Sequence, residues 1–172
     1  MPPTPKPTEP VPAKRNLEQV NLSSADLSGA DLRESNLRHA TLNEANLTGA
    51  DLSGSDLAFD NLGGASLQDA TLAAANLDRA DLRMADLSRA DLRNATLTAA
   101  RLRDADLTDA NLEDADVTGA DLMAARSLSG TRLRGAQGLS PEQLAACVER
   151  EADVSEGESP SSDGESDAAT PT

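Results

Sequence analysis

The sequence predicts an all-β solenoid: a parallel β-helix with four-sided coils and a short C-terminal capping helix. Leucine recurs at every fifth position from Leu17 to Leu112, and Val117 and Leu122 extend the series to 22 consecutive units. Neither an α-helix nor a β-strand places residues five apart on one face. A chain that turns a corner after every fifth residue can bury all the leucines, because four units then close one square coil with every leucine inside.

The residue two places before each leucine supports the same architecture. It is alanine in most units between Ala25 and Ala120, with Ser35 and Ser55 as small replacements. A small side chain there fits an interior that four leucines per coil already fill. The residue just before leucine is mostly Asp or Asn, whose short side chains bond nearby backbone N–H groups and favour repeated turns.

These units resemble the pentapeptide-repeat family, whose consensus is A-(D/N)-L-x-x. Two examples are the segments 25–29 (ADLSG) and 80–84 (ADLRM), and the resemblance covers residues 15 to about 135. The resemblance implies that the β-helix is right-handed and quadrilateral. It also implies a type of function, since some members of the family mimic DNA, bind bacterial type II topoisomerases and protect them from quinolones.

The flanking segments differ in composition from the repeats, which we assign to residues 16–139. Residues 1–15 hold six of the nine prolines, which predicts a disordered N-terminal segment. Residues 151–172 hold seven acidic residues and no basic one, which predicts a disordered acidic tail.

A capping helix is expected over residues 140–150. The leucine register slips by one after Leu122 and again before Leu139. Ser140-Pro141-Glu142-Gln143 then has the pattern of a capping box, with proline at the first helical position. We expect this helix to close the end of the solenoid, since solenoids need caps. Alternatively, as in some family members, its apolar face makes a homodimer contact through Leu144, Cys147 and Val148.

The residue inventory predicts that the chain is not an enzyme. Its single histidine, His39, and its single cysteine, Cys147, would lie about five coils apart. None of the common nucleotide-binding, CxxC or HExxH motifs is present. Stacked aspartates, such as Asp31 below Asp51, fall well short of the oxygen ligands that a calcium site needs. We therefore expect no catalytic residue, no cofactor and no metal.

Targeting signals are also lacking in the sequence. The first 20 residues contain no apolar core of a signal peptide, and no run of 18 apolar residues could span a membrane. A single cysteine excludes an internal disulfide. We therefore expect a cytoplasmic protein without a membrane partner.

Two adjacent faces of the predicted solenoid carry an excess of acid. When every fourth unit is assigned to one face, the faces of Leu27 and Leu32 each have a net charge of −4, and residues 16–124 together carry −12. Duplex DNA of the same length, roughly 26 Å, carries about 15 charges. Such a rod can enter a groove lined with Lys and Arg. The partner-binding acids expected on these faces are Asp26, Asp31, Glu34, Asp51, Asp69, Asp86, Asp91, Asp106, Asp109, Glu113 and Asp114.

Charge and resemblance together favour one specific function. The protein would be a DNA mimic that binds DNA gyrase or topoisomerase IV and does not itself bind nucleic acid. The alternative is a structural or scaffolding module for an unknown protein partner, because an acidic surface also serves solubility alone.

Phe59 and Asp60 break the repeat pattern. Asp60 stands where alanine belongs, and burial of an unpaired carboxylate is costly, so we expect a local bulge or bonds from Asp60 to corner N–H groups. Phe59 is the chain's one aromatic residue apart from histidine, and stacking places His39 and Arg79 beside it. Two interpretations remain open. The ring lies flat against Arg79 in a cation–π contact, or Phe59, Asp60 and Arg79 form a binding hot spot.

Overall fold

A computed structural model describes residues 14–155, which form a right-handed quadrilateral β-helix. Successive coils are joined by parallel β-bridges between the residues that precede the inward leucines. The predicted fold class is therefore confirmed. On the face that begins with Leu17, the bridged residues are Asn16, Asn36, Asp56, Asn76, Thr96, Asp116 and Gln137.

A single unit shows how the period of five makes a corner. The backbone N–H of Ser55 donates to the carbonyl of Leu52 at 3.0 Å, which closes a four-residue turn. The third residue of this turn, Gly54, has a φ of 64°, as a type II turn requires. The side chain of Asp51 accepts a bond from the N–H of Ser53 at 3.0 Å. The turn role expected for the Asp/Asn column is thus confirmed.

The core is a column of leucines with alanines between them. Every inward residue of the series from Leu32 to Leu122 is at most 1% exposed. Leu17 and Leu22, in the first coil, are only partly buried. Burying one leucine contributes about 1.5–3 kcal/mol. Each coil contacts only its neighbours, so stability is close to a sum over adjacent coils.

The first predicted register slip is absorbed by a short helix. A 3₁₀ turn at Leu122–Ala124 takes up one extra residue, so Asp106 bridges to Ser127 instead of the residue 20 places later. Leu128 and Leu133 then return to the interior at 1% and 2% exposure.

The predicted capping helix, α1, spans Pro141–Glu149. The hydroxyl of Ser140 accepts a bond from the N–H of Gln143 at 3.2 Å, and the Gln143 side chain accepts from the N–H of Ser140 at 2.9 Å. Both bonds of the predicted capping box are therefore confirmed.

The chain returns to the solenoid after α1. Asp153 forms a parallel bridge with Arg132, and the N–H of Leu133 donates to the carbonyl of Asp153 at 2.7 Å. The tail boundary that we predicted at residue 151 is wrong, because the segment 152–154 (ADV) is another repeat unit, like the segment 115–117. Helix α1 replaces two units within the last coil. The predicted Pro-rich segment up to residue 13 and the tail from residue 156 lie outside the described residues.

Arg150 ties α1 to the preceding coil. Its guanidinium donates to the carbonyls of Met123 at 3.1 Å and Ala125 at 2.6 Å. We expect Arg150→Ala to lower the free energy of unfolding by about 2 kcal/mol, because two partly buried carbonyls lose a charged donor. Urea unfolding followed by circular dichroism measures this. The control is Arg103→Ala, whose guanidinium makes no bond or ion pair within residues 14–155. Equal losses in the two variants would contradict the role of Arg150.

Candidate protein-binding surface

The structure brings the predicted acidic residues onto two adjacent faces that share one edge of the rod. One bridge column passes through Asp26, Asp86 and Asp106, and the next passes through Asp31 and Asp51. We call these two faces, which begin at Leu27 and Leu32, the acidic corner. Its placement follows directly from the spacing of 20 residues per coil.

Arginines neutralise much of the acidic corner. Some pairs lie two residues apart on one face, as in Asp31–Arg33 at 2.7 Å, and others are stacked on successive coils, as in Asp69–Arg89 at 2.7 Å. The Arg33 guanidinium lowers the pKa of Asp31 to about 2. The charge count missed these contacts, although the recurring triplet Asp-Leu-Arg signals them, since residues two apart on a strand share a face. Seven of the expected acids have a basic partner within 4 Å: Asp31, Glu34, Asp51, Asp69, Asp91, Asp106 and Glu113.

Three expected acids have no basic group within 4 Å among residues 14–155: Asp86, Asp109 and Asp114. Asp86 accepts bonds from the Gln68 amide at 2.6 Å and the N–H of Ser88 at 3.0 Å. Asp109 and Asp114 occupy exposed corner positions with φ of 58°. These three residues therefore form no ion pair within 4 Å on the acidic corner. Asp26, the remaining expected acid, accepts from the hydroxyl of Ser28 at 2.7 Å.

The C-terminal coils are richer in arginine than the rest of the rod. Arg126, Arg132, Arg134 and Arg150 all follow residue 124. Residues 14–155 therefore hold 24 acidic and 14 basic residues, a net charge of −10. The excess of acid thus belongs to the N-terminal and central coils.

Phe59 lies in a cluster of stacked side chains. Its ring stacks on His39 with 5.1 Å between ring centroids and 22° between ring planes. The guanidinium carbons of Arg38 and Arg79 each lie 5.5 Å from the ring centroid. The predicted neighbours His39 and Arg79 are confirmed. Arg38 was not expected, because it comes from the adjoining column of the same face.

Asp60 points into the solenoid and is 1% exposed. No bulge forms, so that expectation is wrong, and the alternative of a bond to a backbone N–H is confirmed. The Ala40 N–H donates to Asp60 Oδ1 at 2.9 Å, while Oδ2 has no partner among the described residues. Burial raises the pKa of Asp60 to about 8. Because it does not reach the surface, Asp60 cannot be part of the expected hot spot with Phe59 and Arg79.

Fewer residues than predicted are accessible on α1 for a dimer contact. Cys147 is fully buried in the core of its own chain, and burial raises the pKa of its thiol. Cys147 belongs to the hydrophobic core that the inward leucines and alanines form. Leu144 is partly buried and Val148 is 53% exposed, so only these two of the three predicted contact residues remain accessible.

Residues 14–155 contain neither a metal-binding cluster nor a membrane-spanning helix. No three His, Cys, Asp or Glu side chains in this range converge in a way that could hold a metal ion. The same range contains no helix that is long and apolar enough to cross a bilayer. His39 packs against Phe59, whereas Cys147 lies in the core near the C-terminal end.

The stacked coils define a repeat protein whose variable residues lie mostly on its surface. The family model for pentapeptide repeats matches this chain in eight copies. The matched segments overlap and extend from residue 16 to residue 137. The chain belongs to the pentapeptide-repeat family, whose members are generally non-enzymatic structural or interaction modules. No curated protein matched the sequence.

Solved structures of the same family resemble this chain. The pentapeptide repeat protein Rfr23 from the cyanobacterium Cyanothece 51142 is 27% identical, with a TM-score of 0.58, over 69% of this chain and 88% of Rfr23. HetL from Nostoc sp. strain PCC 7120, described as involved in heterocyst differentiation regulation, is 35% identical over 72% of this chain and 65% of HetL, with a TM-score of 0.35. Full-length QnrB1, described as a plasmid-mediated fluoroquinolone resistance protein, is 18% identical over 80% of this chain and 96% of QnrB1, with a TM-score of 0.39.

Proposed function

We propose that this chain is a protein-binding rod without catalytic activity, and that it mimics DNA. Its acidic corner would bind the DNA-binding groove of a bacterial type II topoisomerase, either gyrase or topoisomerase IV. The observation that carries the proposal is the net charge of −12 over residues 16–124, on a rod whose coils rise by roughly 4.8 Å. A topoisomerase partner also places the protein in the cytoplasm.

Long-range electrostatic attraction is the physical basis of the proposed binding. A groove lined with Lys and Arg attracts any rod of similar negative charge density, and this attraction weakens as salt rises. Most acids of the acidic corner already contact an arginine. Asp86, Asp109 and Asp114, which form no ion pair within residues 14–155, are therefore the acids of this corner that we expect to contact a basic partner.

The test is a gyrase supercoiling assay, with and without ciprofloxacin, in which this protein is titrated. We expect inhibition or drug protection at micromolar concentrations. The triple variant Asp86→Asn, Asp109→Asn, Asp114→Asn should raise the required concentration at least about tenfold, which corresponds to about 1.4 kcal/mol. Asparagine retains the side-chain acceptor and tolerates positive φ, so the fold should be unchanged.

The control variant removes the same number of negative charges, three, from the other two faces. The variant Glu18→Gln, Glu44→Gln, Asp78→Gln alters residues outside the acidic corner. We expect it to change the required concentration by no more than about twofold, since exposed charges beyond about 10 Å are largely screened at ordinary salt. Equal effects of the two triple variants, or no effect of the protein on gyrase or topoisomerase IV at micromolar concentration, would overturn the topoisomerase proposal.

A scaffolding role is the second candidate. The observation that favours it is the pairing of seven of the eleven expected acids with basic residues, which resembles an ordinary mixed-charge surface. A scaffold would bind a protein partner with little dependence on salt. Binding that persists in high salt and is insensitive to the acidic-corner triple variant would favour this role.

A further inference from the structure

A second surface lies on the opposite side of the rod from the acidic corner. His39, Phe59 and Arg79 occupy the same corner position on three successive coils, between the faces that begin at Leu17 and Leu22. The edge of the acidic corner lies between the other two faces, so the two edges are diagonally opposite on a four-sided coil. We call the set Arg38, His39, Phe59 and Arg79 the cation–aromatic strip.

The hydrogen-bond donors of the strip are largely unused. The Arg79 side chain is 64% exposed, and its nearest carboxylate, Asp78, lies at the 4.0 Å limit for an ion pair. Neither Arg79 nor His39 makes a side-chain hydrogen bond within residues 14–155. The Arg38 guanidinium donates one hydrogen bond to Asp56 at 3.3 Å. Free guanidinium donors therefore lie beside a ring that is 37% exposed.

These groups define the chemistry of a complementary partner. A guanidinium binds a carboxylate through two parallel hydrogen bonds, and the Phe59 ring offers a surface for an aromatic or aliphatic side chain. Stacking on His39 and both arginines holds the ring in place, which reduces the ordering cost of binding. Arginine and aromatic residues also contribute most of the binding energy in many protein interfaces.

We propose that the cation–aromatic strip binds a protein segment that presents a carboxylate next to an aromatic side chain. Single-stranded nucleic acid also stacks on aromatic and arginine side chains, but a polyanion is repelled by a rod with a net charge of −10. A partner with one local carboxylate avoids this repulsion. The strip is separate from the acidic corner, so the rod would join two proteins on opposite edges.

The composition of the chain suits a direct test. It contains one His, one Phe, no Tyr and no Trp, so a ¹³C-edited NMR spectrum of its aromatic region reports only on His39 and Phe59. The probe is the blocked dipeptide Ac-Glu-Trp-NH₂, added to ¹³C-labelled full-length protein. We expect saturable shifts of both rings with a Kd of about 1 to 10 mM, as suits so small a ligand.

The comparison probe Ac-Gln-Trp-NH₂ lacks the carboxylate and should bind at least about fivefold more weakly, or about 1 kcal/mol. Arg79→Gln should raise the Kd of the Glu probe by a similar factor. Arg89→Gln, at the edge of the acidic corner, should not change it. The ring-current shift of His39 by Phe59 verifies that the strip remains folded in each variant.

Three results would overturn the proposal. The first is non-saturable or absent shifts with the Glu probe. The second is equal affinity for the Glu and Gln probes. The third is tighter binding of a dT octamer, which would assign the strip to single-stranded nucleic acid. None of these readouts involves a topoisomerase, so this test and that of the proposed function are independent.

Discussion

Asp60→Ala is expected to raise the free energy of unfolding by about 3 kcal/mol near pH 8, and by much less near pH 4. The carboxyl is 1% exposed, and Oδ2 has no partner among the described residues. Alanine is the usual residue of this inward column. The Ala40 N–H also donates to the carbonyl of Leu37 at 2.8 Å, so removing Asp60 leaves no unbonded donor.

The direction of the pH dependence follows from the pKa of Asp60. Burial raises it from 3.8 to about 8 in the folded protein. The folded state therefore holds a proton that the unfolded state has already released, and stability decreases as pH rises from about 4 to about 8. Between these pH values the free energy of unfolding falls by about 5 kcal/mol if the pKa of Asp60 is raised by the full amount. Well above pH 8 both states are ionised, and this contribution becomes constant.

The measurement compares urea unfolding of the wild-type protein and the variant at a series of pH values. Their difference isolates Asp60 from the many exposed carboxylates. Ser55→Ala is the matched control, since Ser55 occupies the same inward column and donates to the carbonyl of Leu52 at 2.6 Å. It should change stability by about 1 kcal/mol or less at every pH. A difference between Asp60→Ala and wild type that did not vary with pH would show that Asp60 does not titrate as argued.

Gly138→Ala is expected to lower the free energy of unfolding by about 3 kcal/mol through overpacking and backbone strain. Gly138 follows Gln137 in the position that leucine occupies elsewhere, and the chain leaves the regular coil there with a φ of 88°. A Cβ at Gly138 would lie 2.4 Å from the Cα and 2.5 Å from the backbone nitrogen of Thr118. These are backbone atoms of the preceding coil, so they cannot rotate away.

Gly49→Ala separates this clash from the cost of the left-handed conformation. Gly49 has a φ of 65°, and a Cβ built there meets no atom within 4 Å. Its substitution should lower the free energy of unfolding by only about 1 kcal/mol. Thermal or urea unfolding of the two variants measures the difference. Equal losses would mean that the coil moves apart at Gly138 and that the contact with Thr118 does not limit packing.

The charged surface was only partly predictable. The stacking of every twentieth residue places Asp31 below Asp51, and this spacing correctly predicted which acids share a face. The charge of each face was correctly counted but its arrangement was not, because a count does not say which guanidinium reaches which carboxylate. Asp69 has a stacked arginine 20 residues later, whereas Asp109 has Gly130 above it and forms no ion pair within residues 14–155.

The C-terminal end shows a different kind of error. The segment 152–154 has the composition of a repeat unit, but a helix of nine residues separates it from the others. The acidic residues around this segment are typical of a disordered tail, so the local composition predicts a tail and not a repeat unit. Its pairing with the coil at Arg132 depends on the path of α1, which a local pattern does not reveal.

The sequence by itself determined the coil, the inward column and the faces, because only one chain geometry buries a leucine at every fifth residue. The tertiary structure alone decided which acids remain unpaired, that Asp60 stays inside without a bulge, and that the chain returns to the solenoid after α1. The physical reason is that these outcomes depend on contacts between side chains and backbone groups on different coils, about 20 residues apart in the chain. A repeat pattern specifies where such groups stack, and their chemistry and rotamers then decide what they bind.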